Sequence, residues 1–366
     1  MNELKIKTER VRKFLKEKKL KAVLLSSQAN FSWITCGGDS HVVMGADSGV
    51  ASVLVTQDKN YIVTNNIEVG RIKDEELQNL KKDFKFAIYP WYEEEKKLKV
   101  IKDICPIEKL GSDSFFNGAK QIAGDFKKLR FTLTPEEIKR YEFLGKVCGE
   151  IMGRVCCSIR KGETENKIAA RLSEEVLAKG IQPNVLLVAA DDRIKKYRHP
   201  IPTEKKINKY VMVVLCGKKW GLIANLTRIV HFGKLSQELK KRHAGVARID
   251  SAFISCTRPG TNVSKIFKCA LESYKDTGFA NEWKLHHQGG STGYEGRDYK
   301  GTQLTKEIVQ ENQAFAWNPS ITGTKTEDTI IAFSNKTKII TATPKWPVIK
   351  IKCCGSEIER PDILIK

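Results

Sequence analysis

The chain has 366 residues, of which 41% are hydrophobic and 29% are charged, and its formal net charge is +21. This composition is typical of a globular protein and excludes a collagen-like or intrinsically disordered chain. No apolar run reaches the ~18 residues that cross a bilayer, so no membrane-spanning helix is predicted. The amino terminus has no apolar stretch behind a basic cap, so we predict no signal peptide and a cytoplasmic location.

The positive charge makes nucleic acid, anionic lipid or an anionic substrate candidate partners. Lysine residues are nevertheless spread along the whole chain among Glu and Asp. Nucleic acid is therefore an alternative rather than the favoured partner, and no membrane partner is predicted. One basic cluster is opposed within its span only by Glu204; its members are Arg193, Lys195, Lys196, Arg198, Lys205, Lys206 and Lys209.

The first elements in chain order predict an α/β domain. Apolar residues recur at helical spacing over residues 3–19, and residues 22–25 predict a short buried strand. Residues 50–55 and 61–64 predict two further strands joined by a polar turn. Helix and strand signals alternate to about residue 130, so a domain is predicted over residues 1–130.

A second domain is predicted over residues 131–366. Thr134 and Pro135 mark the start of a helix that is expected to end near residue 159, and Thr164 caps the next helix. The pattern then favours three strands followed by two helices, over residues 185–189, 211–215, 222–225, 236–257 and 263–277. The rest of the chain is expected to be mostly strands with Gly-rich turns. The ten cysteines include no C-x-x-C pair and are predicted to be buried thiols.

Three short motifs accompany this order of elements: Asn30–Thr35 after the first strand, Leu133–Ile138 at the start of the long helix, and Arg160–Glu165 at a turn. Together they resemble the creatinase/prolidase/methionine aminopeptidase superfamily. The resemblance implies an α/β amino-terminal creatinase-like domain plus an α+β pita-bread catalytic-type domain. It matches residues 30–35 to an early strand of the first domain, and it implies a homodimer.

Active enzymes of this superfamily hold two divalent metal ions with two Asp, one His and two Glu. The resemblance places Val214 and Asn225 where the family has its Asp ligands, and His287 at the His position. Asn318 and Glu327 stand at the two Glu positions. Valine has no donor atom, and amide oxygens are weak neutral ligands. We therefore predict no dinuclear metal site and no cofactor, with one weakly held ion between His287 and Glu327 as an alternative.

The resemblance also implies a catalytic role for His199, which lies in a turn where the family directs a His into the substrate cleft. Creatinase itself works without metal and is thought to use such a His as its acid/base group. His287 and Glu327 complete the predicted catalytic set, and Asn225, Tyr294, Asn318 and Lys325 are the predicted substrate-binding residues. Strand alternation would place Lys325 and Glu327 on one face.

The same alternation would let only one of the adjacent residues His286 and His287 face the pocket, and the motif favours His287. Arg228 is expected to be a structural ion-pair partner of Glu327 or Asp328. A basic cluster around His199 would favour an anionic substrate if it rims the cleft, although a solvated surface loop is the more common outcome.

Three functions remain open on the sequence. The first is a metal-independent hydrolase of a C–N bond in a small peptide or amino-acid derivative, with His199 as acid/base. The second is a non-catalytic binding protein on the same fold, with a small molecule, a protein or a nucleic acid as ligand. The third is a metal-dependent Xaa-Pro dipeptidase or aminopeptidase, against which Val214 and Asn318 count directly.

Overall fold

The computed structural model describes residues 2–353 and 355–366, so Met1 and Cys354 lie outside the described residues. The chain divides into two compact units. One comprises the residues up to Glu136 together with Trp220–Leu222, and the other comprises Glu137–Lys219 with Ile223–Lys366. Within the described residues, no helix is both long enough and apolar enough to cross a bilayer.

The amino-terminal unit is built on a mixed sheet. Its described residues form six strands in the spatial order β4-β3-β2-β1-β5-β6. These are β1 (Ala22–Ser27), β2 (Ser48–Thr56), β3 (Asn60–Asn65), β4 (Phe84–Tyr89), β5 (Leu110–Ser112) and β6 (Lys120–Gln121). The helices are α1 (Glu3–Lys18), α2 (Gln28–Ile34), α3 (Val69–Arg71), α4 (Lys96–Lys102) and α5 (Ala123–Phe126).

Helix α2 corrects one sequence-based expectation. Residues 30–35 were matched to a strand, but residues 28–34 form a helix, which begins because the Ser27 side chain accepts a hydrogen bond from the backbone N–H of Asn30. Short apolar runs do not distinguish a buried strand from a buried helix, and here the side-chain cap decides the outcome.

The second unit begins within the long helix α6 (Pro135–Ser158), and its described residues form four further α-helices. They are α7 (Glu165–Leu177), α8 (Asp192–Lys196), α9 (Gln237–Cys256) and α10 (Val263–Asp276). Thr164 and Ser236 cap α7 and α9 by accepting hydrogen bonds from backbone N–H groups, which is why these helices begin where they do.

In the described part of this unit, nine strands form one sheet. Seven follow the order β11-β10-β12-β15-β9-β8-β7, β16 pairs with β15, and β19 pairs with β9. Their bounds are β7 (Gln182–Ala190), β8 (Tyr210–Lys219), β9 (Leu222–His231), β10 (Gly289–Ser291), β11 (Tyr299–Lys300), β12 (Gln313–Trp317), β15 (Glu327–Ala332), β16 (Thr337–Ile339) and β19 (Leu364–Ile365). Two short pairs complete the unit: β13 (Ser320–Ile321) with β14 (Thr324–Lys325), and β17 (Val348–Cys353) with β18 (Ser356–Pro361).

The core of this unit lies between helices α9 and α10 and the central strands. Phe253 of α9 stacks on Trp317 of β12, with ring centroids 4.4 Å apart, and Phe267 of α10 joins the same cluster. Aromatic pairs of this kind bury large apolar areas in a defined geometry. The packing therefore fixes the position of β12, and with it Asn318, which follows that strand directly.

Candidate functional site

The loop that carries His199 is held by one buried carboxylate. Glu165 Oε1 accepts hydrogen bonds from the backbone N–H of Ala190 at 2.8 Å and from Arg193 Nε at 3.0 Å. Its Oε2 accepts from the backbone N–H of Thr203 at 2.9 Å and from the Thr203 hydroxyl at 2.7 Å. Charge-assisted hydrogen bonds to both sides of the loop restrain the segment between Arg193 and Thr203, in which His199 lies.

Three imidazole rings form a cluster in the second unit. His199 Nε2 lies 3.2 Å from His286 Nε2, so one ring donates and the other accepts. The His287 ring centroid lies 4.5 Å from that of His286 and 5.6 Å from that of His199. His286 Nδ1 also lies 3.5 Å from the Ser320 hydroxyl. The donor atoms of the three histidines lie within 4.8 Å of one another, so together they could hold one metal ion.

The sequence-based expectation that only one of the adjacent histidines faces the pocket is wrong. Both His286 and His287 contact His199. Regular alternation requires a strand, and this pair lies between a 3-10 turn that ends at Leu285 and strand β10, which begins at Gly289. Gly289 has φ +92°, and a Cβ there would overlap the carbonyl oxygen of Ala316, so only glycine permits this turn of the chain.

All three imidazoles are neutral near pH 7. Burial, reinforced by the charge of Lys325, lowers the pKa of His286 to about 2 and the pKa of His199 below its ordinary value of 6.5. Burial and the nearby Arg297 charge lower the pKa of His287 to about 4. The cluster is therefore uncharged at neutral pH, and its ring nitrogens can donate or accept hydrogen bonds.

Glu327 lies at the start of β15 and is 2% exposed. Its Oε2 accepts hydrogen bonds from Lys325 Nζ at 2.7 Å and from the Thr227 hydroxyl at 2.9 Å, and its Oε1 accepts from Arg297 Nη2 at 2.9 Å. Burial favours the neutral acid, but the two neighbouring charges and these hydrogen bonds lower the pKa of Glu327 to about 2. The carboxylate is therefore ionised and held between two side-chain cations.

Two buried amides carry acceptor oxygens without a partner among the described residues. Asn225 donates from Nδ2 to the carbonyl of Ile223 at 3.3 Å and to the Thr292 hydroxyl at 3.2 Å, while its Oδ1 has no partner there. The Oδ1 atom of Asn318 is likewise without a partner in the described part of the chain. Buried polar atoms are rarely left unsatisfied, so both oxygens are suited to receive N–H groups from a ligand.

Val214 lies among apolar side chains, whereas Tyr294 makes a buried hydrogen bond. Val214 is 2% exposed and packs in an apolar cluster with Met212 and Ile229. The Tyr294 hydroxyl donates to Glu137 Oε1 at 2.7 Å, and the side chain is 2% exposed. A substrate-binding role for Tyr294 stays a prediction.

The ion pair of Arg228 is structural. Its Nη2 lies 2.9 Å from Asp328 Oδ1, and Arg360 Nη2 lies 2.8 Å from Asp328 Oδ2 and 2.6 Å from Asp250 Oδ2. All four side chains are at most 2% exposed. This buried network supports the strand that carries Glu327.

Much of the predicted basic cluster is engaged in ion pairs. Arg193 pairs with Glu165, Lys196 and Lys205 pair with Asp192, and Arg198 lies 3.4 Å from Glu282. These pairs reduce the positive charge that the loop presents around His199.

Two residues of this site were missed by sequence reasoning, namely His286 and Arg297. His286 was set aside by the alternation argument. Arg297 lies in the same Gly-rich segment as Tyr294. A buried carboxylate such as Glu327 needs a positive charge close by, and this requirement could have pointed to Arg297. The site as a whole offers neutral imidazoles, two amide acceptors and a net positive charge around Glu327.

The comparisons with known proteins agree with this fold. A model of metallopeptidase family M24 matches residues 139–345, and a model of the creatinase/prolidase N-terminal domain matches residues 7–133. The Xaa-Pro dipeptidase of Pyrococcus furiosus is 21% identical over 93% of this chain and 99% of its own length. Among solved structures, an Xaa-Pro dipeptidase from Bacillus anthracis has a TM-score of 0.79 at 19% identity, covering 99% of this chain and 100% of that one.

The fold also occurs in a subunit of a multiprotein complex. The N-terminal domain of the FACT complex subunit SPT16 from chickpea, Cicer arietinum, has a TM-score of 0.69 at 11% identity, covering 93% of this chain and 97% of that one. The predicted fold class, a creatinase-like amino-terminal domain followed by a pita-bread domain, is confirmed. The chain belongs to metallopeptidase family M24 and carries a creatinase/prolidase N-terminal domain.

Proposed function

We propose that this chain hydrolyses a C–N bond in a small peptide or amino-acid derivative without a dinuclear metal centre. The observation that carries the proposal is the pairing of the Glu327 carboxylate with two side-chain cations. Both of its oxygens are bonded to side-chain cations, Lys325 at 2.7 Å and Arg297 at 2.9 Å. These cations supply the positive charge that metal ions supply to a carboxylate in a metallopeptidase.

The donor set does not fit two divalent ions. Of the five positions that the family resemblance assigns to ligands, Val214 has no donor atom and packs in an apolar cluster. Asn225 and Asn318 are neutral, and Glu327 is already neutralised. Two divalent ions bring four positive charges into a buried site, which requires compensating negative charge. The described residues around Glu327 leave a net positive charge instead.

A single ion at the three histidines is disfavoured by the same charges. Burial lowers the pKa values of all three imidazoles, and the positive charge of Lys325 lowers them further because it opposes protonation. It opposes a divalent cation by the same repulsion. We therefore assign His199 the role of a free imidazole that exchanges protons with the substrate.

In the proposed reaction, neutral His199 takes a proton from water while the water oxygen attacks the carbon of the C–N bond. The imidazolium then gives that proton to the departing nitrogen, so the ring returns to its starting state. His286, whose Nε2 lies 3.2 Å from His199 Nε2, orients the His199 ring by a hydrogen bond. The unpartnered oxygens of Asn225 and Asn318 accept N–H groups of the substrate, and Lys325 and Arg297 supply positive charge for its carboxylate or the developing oxyanion.

The test is a substrate panel assayed with metal-stripped protein in the presence of a chelator. The panel contains Xaa-Pro dipeptides, N-acyl amino acids and guanidino acids, and release of the amine is measured. We expect turnover of at least one compound with the chelator present. Turnover only after manganese or cobalt is added would overturn the proposal in favour of a metal-dependent dipeptidase.

The pH dependence follows from His199. Only the neutral imidazole can act as the base, so kcat/KM should rise with pH as His199 loses its proton. The midpoint is expected below pH 6.5, because burial and the Lys325 charge lower the pKa of His199. A profile measured with the substrate found in the panel checks this; a profile that falls as the pH rises through the acid range, or a midpoint above pH 6.5, would contradict it.

A binding protein is the second candidate, and it is favoured by the fold shared with a subunit of the FACT complex. In that case the panel compounds, or a nucleic acid, would bind without turnover. Steep salt dependence of binding would identify a nucleic acid as the ligand.

A homodimer stays a proposal, which sedimentation of the purified chain would test.

A further inference from the structure

Two half-buried cysteines of the second unit lie close together. Cys256 is the last residue of α9 and Cys269 lies within α10. Their Sγ atoms are 2.7 Å apart. For comparison, the non-bonded sulfur atoms of Cys156 and Met152 in the same chain are 3.6 Å apart. The Cys256–Cys269 separation exceeds a disulfide bond by only about 0.7 Å.

We propose that Cys256 and Cys269 form an intramolecular disulfide under oxidising conditions. The two residues are brought together by helices that pack tightly, since α9 and α10 share the aromatic core around Phe253 and Phe267. Bond formation therefore needs a small rotation of two side chains rather than a movement of the helices.

Three buried cysteines provide a contrast. Burial raises the pKa of Cys148, Cys156 and Cys216 to about 12, so these thiols rarely form the thiolate that reacts with an oxidant. Cys256 and Cys269 are both only partly buried, so a small oxidant can reach them. The expectation that the cysteines are inert buried thiols therefore does not extend to this pair.

The chemistry is thiol–disulfide exchange with a small disulfide such as oxidised glutathione. The thiolate of one cysteine attacks a sulfur of glutathione disulfide, forming a mixed disulfide and releasing one reduced glutathione. The thiolate of the second cysteine then attacks the sulfur of the first, and the second glutathione leaves. Two protein thiols lose two protons and two electrons, and the oxidant is reduced to two thiols.

The location gives the bond a structural consequence. Thr257 follows Cys256, and its hydroxyl accepts a hydrogen bond from Trp317 Nε1 at 2.9 Å. Trp317 immediately precedes Asn318, one of the proposed substrate-binding residues. The disulfide would link the end of α9 to α10. It would therefore restrain Thr257, whose hydrogen bond with Trp317 helps to position β12. The inference does not depend on the proposed function, because it rests on the helix pair alone.

The experiment exposes the full chain to oxidised glutathione, alkylates the remaining thiols after denaturation, and maps them by mass spectrometry. We expect a peptide that links Cys256 to Cys269, and neither residue alkylated. The melting temperature of the oxidised chain should exceed that of the reduced chain by roughly 5 °C, because a closed loop restricts the unfolded state. Dithiothreitol should reverse both effects.

Cys256→Ser and Cys269→Ser should each lose the linked peptide and the rise in melting temperature. Cys157→Ser is the matched control, because Cys157 is exposed and belongs to no such pair in the described residues. Alkylation of both Cys256 and Cys269 after oxidation, or a persistent glutathione adduct on either, would overturn the proposal.

Discussion

Replacing His199 with alanine is expected to lower kcat by about 10²–10⁴-fold, the range that a positioned acid/base group contributes. The substrate should still bind, because Asn225, Asn318 and the cations around Glu327 are unchanged. The measurement is kcat and KM for the wild-type and His199→Ala chains with the substrate identified in the panel. Added imidazole should restore part of the lost rate, which a purely structural role of His199 would not allow.

His41→Ala provides the control for a lost histidine. This residue lies in the amino-terminal unit, where its Nδ1 is 2.6 Å from Asp39 Oδ1, and its removal should leave kcat unchanged. Equal rates for wild type and His199→Ala would refute the assigned role. Loss of both turnover and binding in His199→Ala would mean that His199 binds the substrate rather than transfers a proton to and from it.

Glu327→Gln is expected to lower the free energy of unfolding by about 3–5 kcal/mol, because it leaves the buried charges of Lys325 and Arg297 without their counterion. The two cations are 6% and 13% exposed, so solvent screens them little. Urea unfolding of both chains measures the difference. Glu175→Gln breaks the exposed pair with Arg154 and should cost no more than about 1 kcal/mol.

A second change separates the charge effect from a packing effect. Adding Lys325→Met to Glu327→Gln removes one of the two uncompensated cations and should recover part of the lost stability.

The pH dependence of the stability that Glu327 provides has a defined sign. The pKa of Glu327 is lowered from 4.5 to about 2, so its stabilisation is present above pH 4.5 and is lost as the pH falls toward 2. Equal unfolding of Glu327→Gln and Glu175→Gln would contradict this account.

Helix boundaries could be predicted well where a capping residue marks them. Helix α9 was predicted over residues 236–257, and Ser236 caps it because its side chain accepts a hydrogen bond from the backbone N–H of Leu239. Thr164 did the same for α7. The family resemblance implies a strand over residues 30–35, but residues 28–34 form a helix whose first turn is capped by the Ser27 side chain.

The candidate site was only partly predictable for a related reason. Lys325 and Glu327 are only two residues apart, so their contact is local in sequence, although Lys325 ends β14 and Glu327 begins β15. Arg297 reaches Glu327 from 30 residues away in the chain, and His199 meets His286 across 87 residues. No local pattern encodes such contacts, because they depend on how the sheet and its loops pack.

The central claim is that side-chain cations replace the dinuclear metal centre, and metal binding tests it most directly. The purified chain is stripped, incubated with manganese, cobalt or zinc, dialysed, and analysed for bound metal per chain. The account predicts no stoichiometric retention of any of the three ions. Two retained ions per chain, lost in Asn225→Ala and Glu327→Gln, would contradict it; one retained ion, lost in His286→Ala, would contradict the role of His199 as a free base.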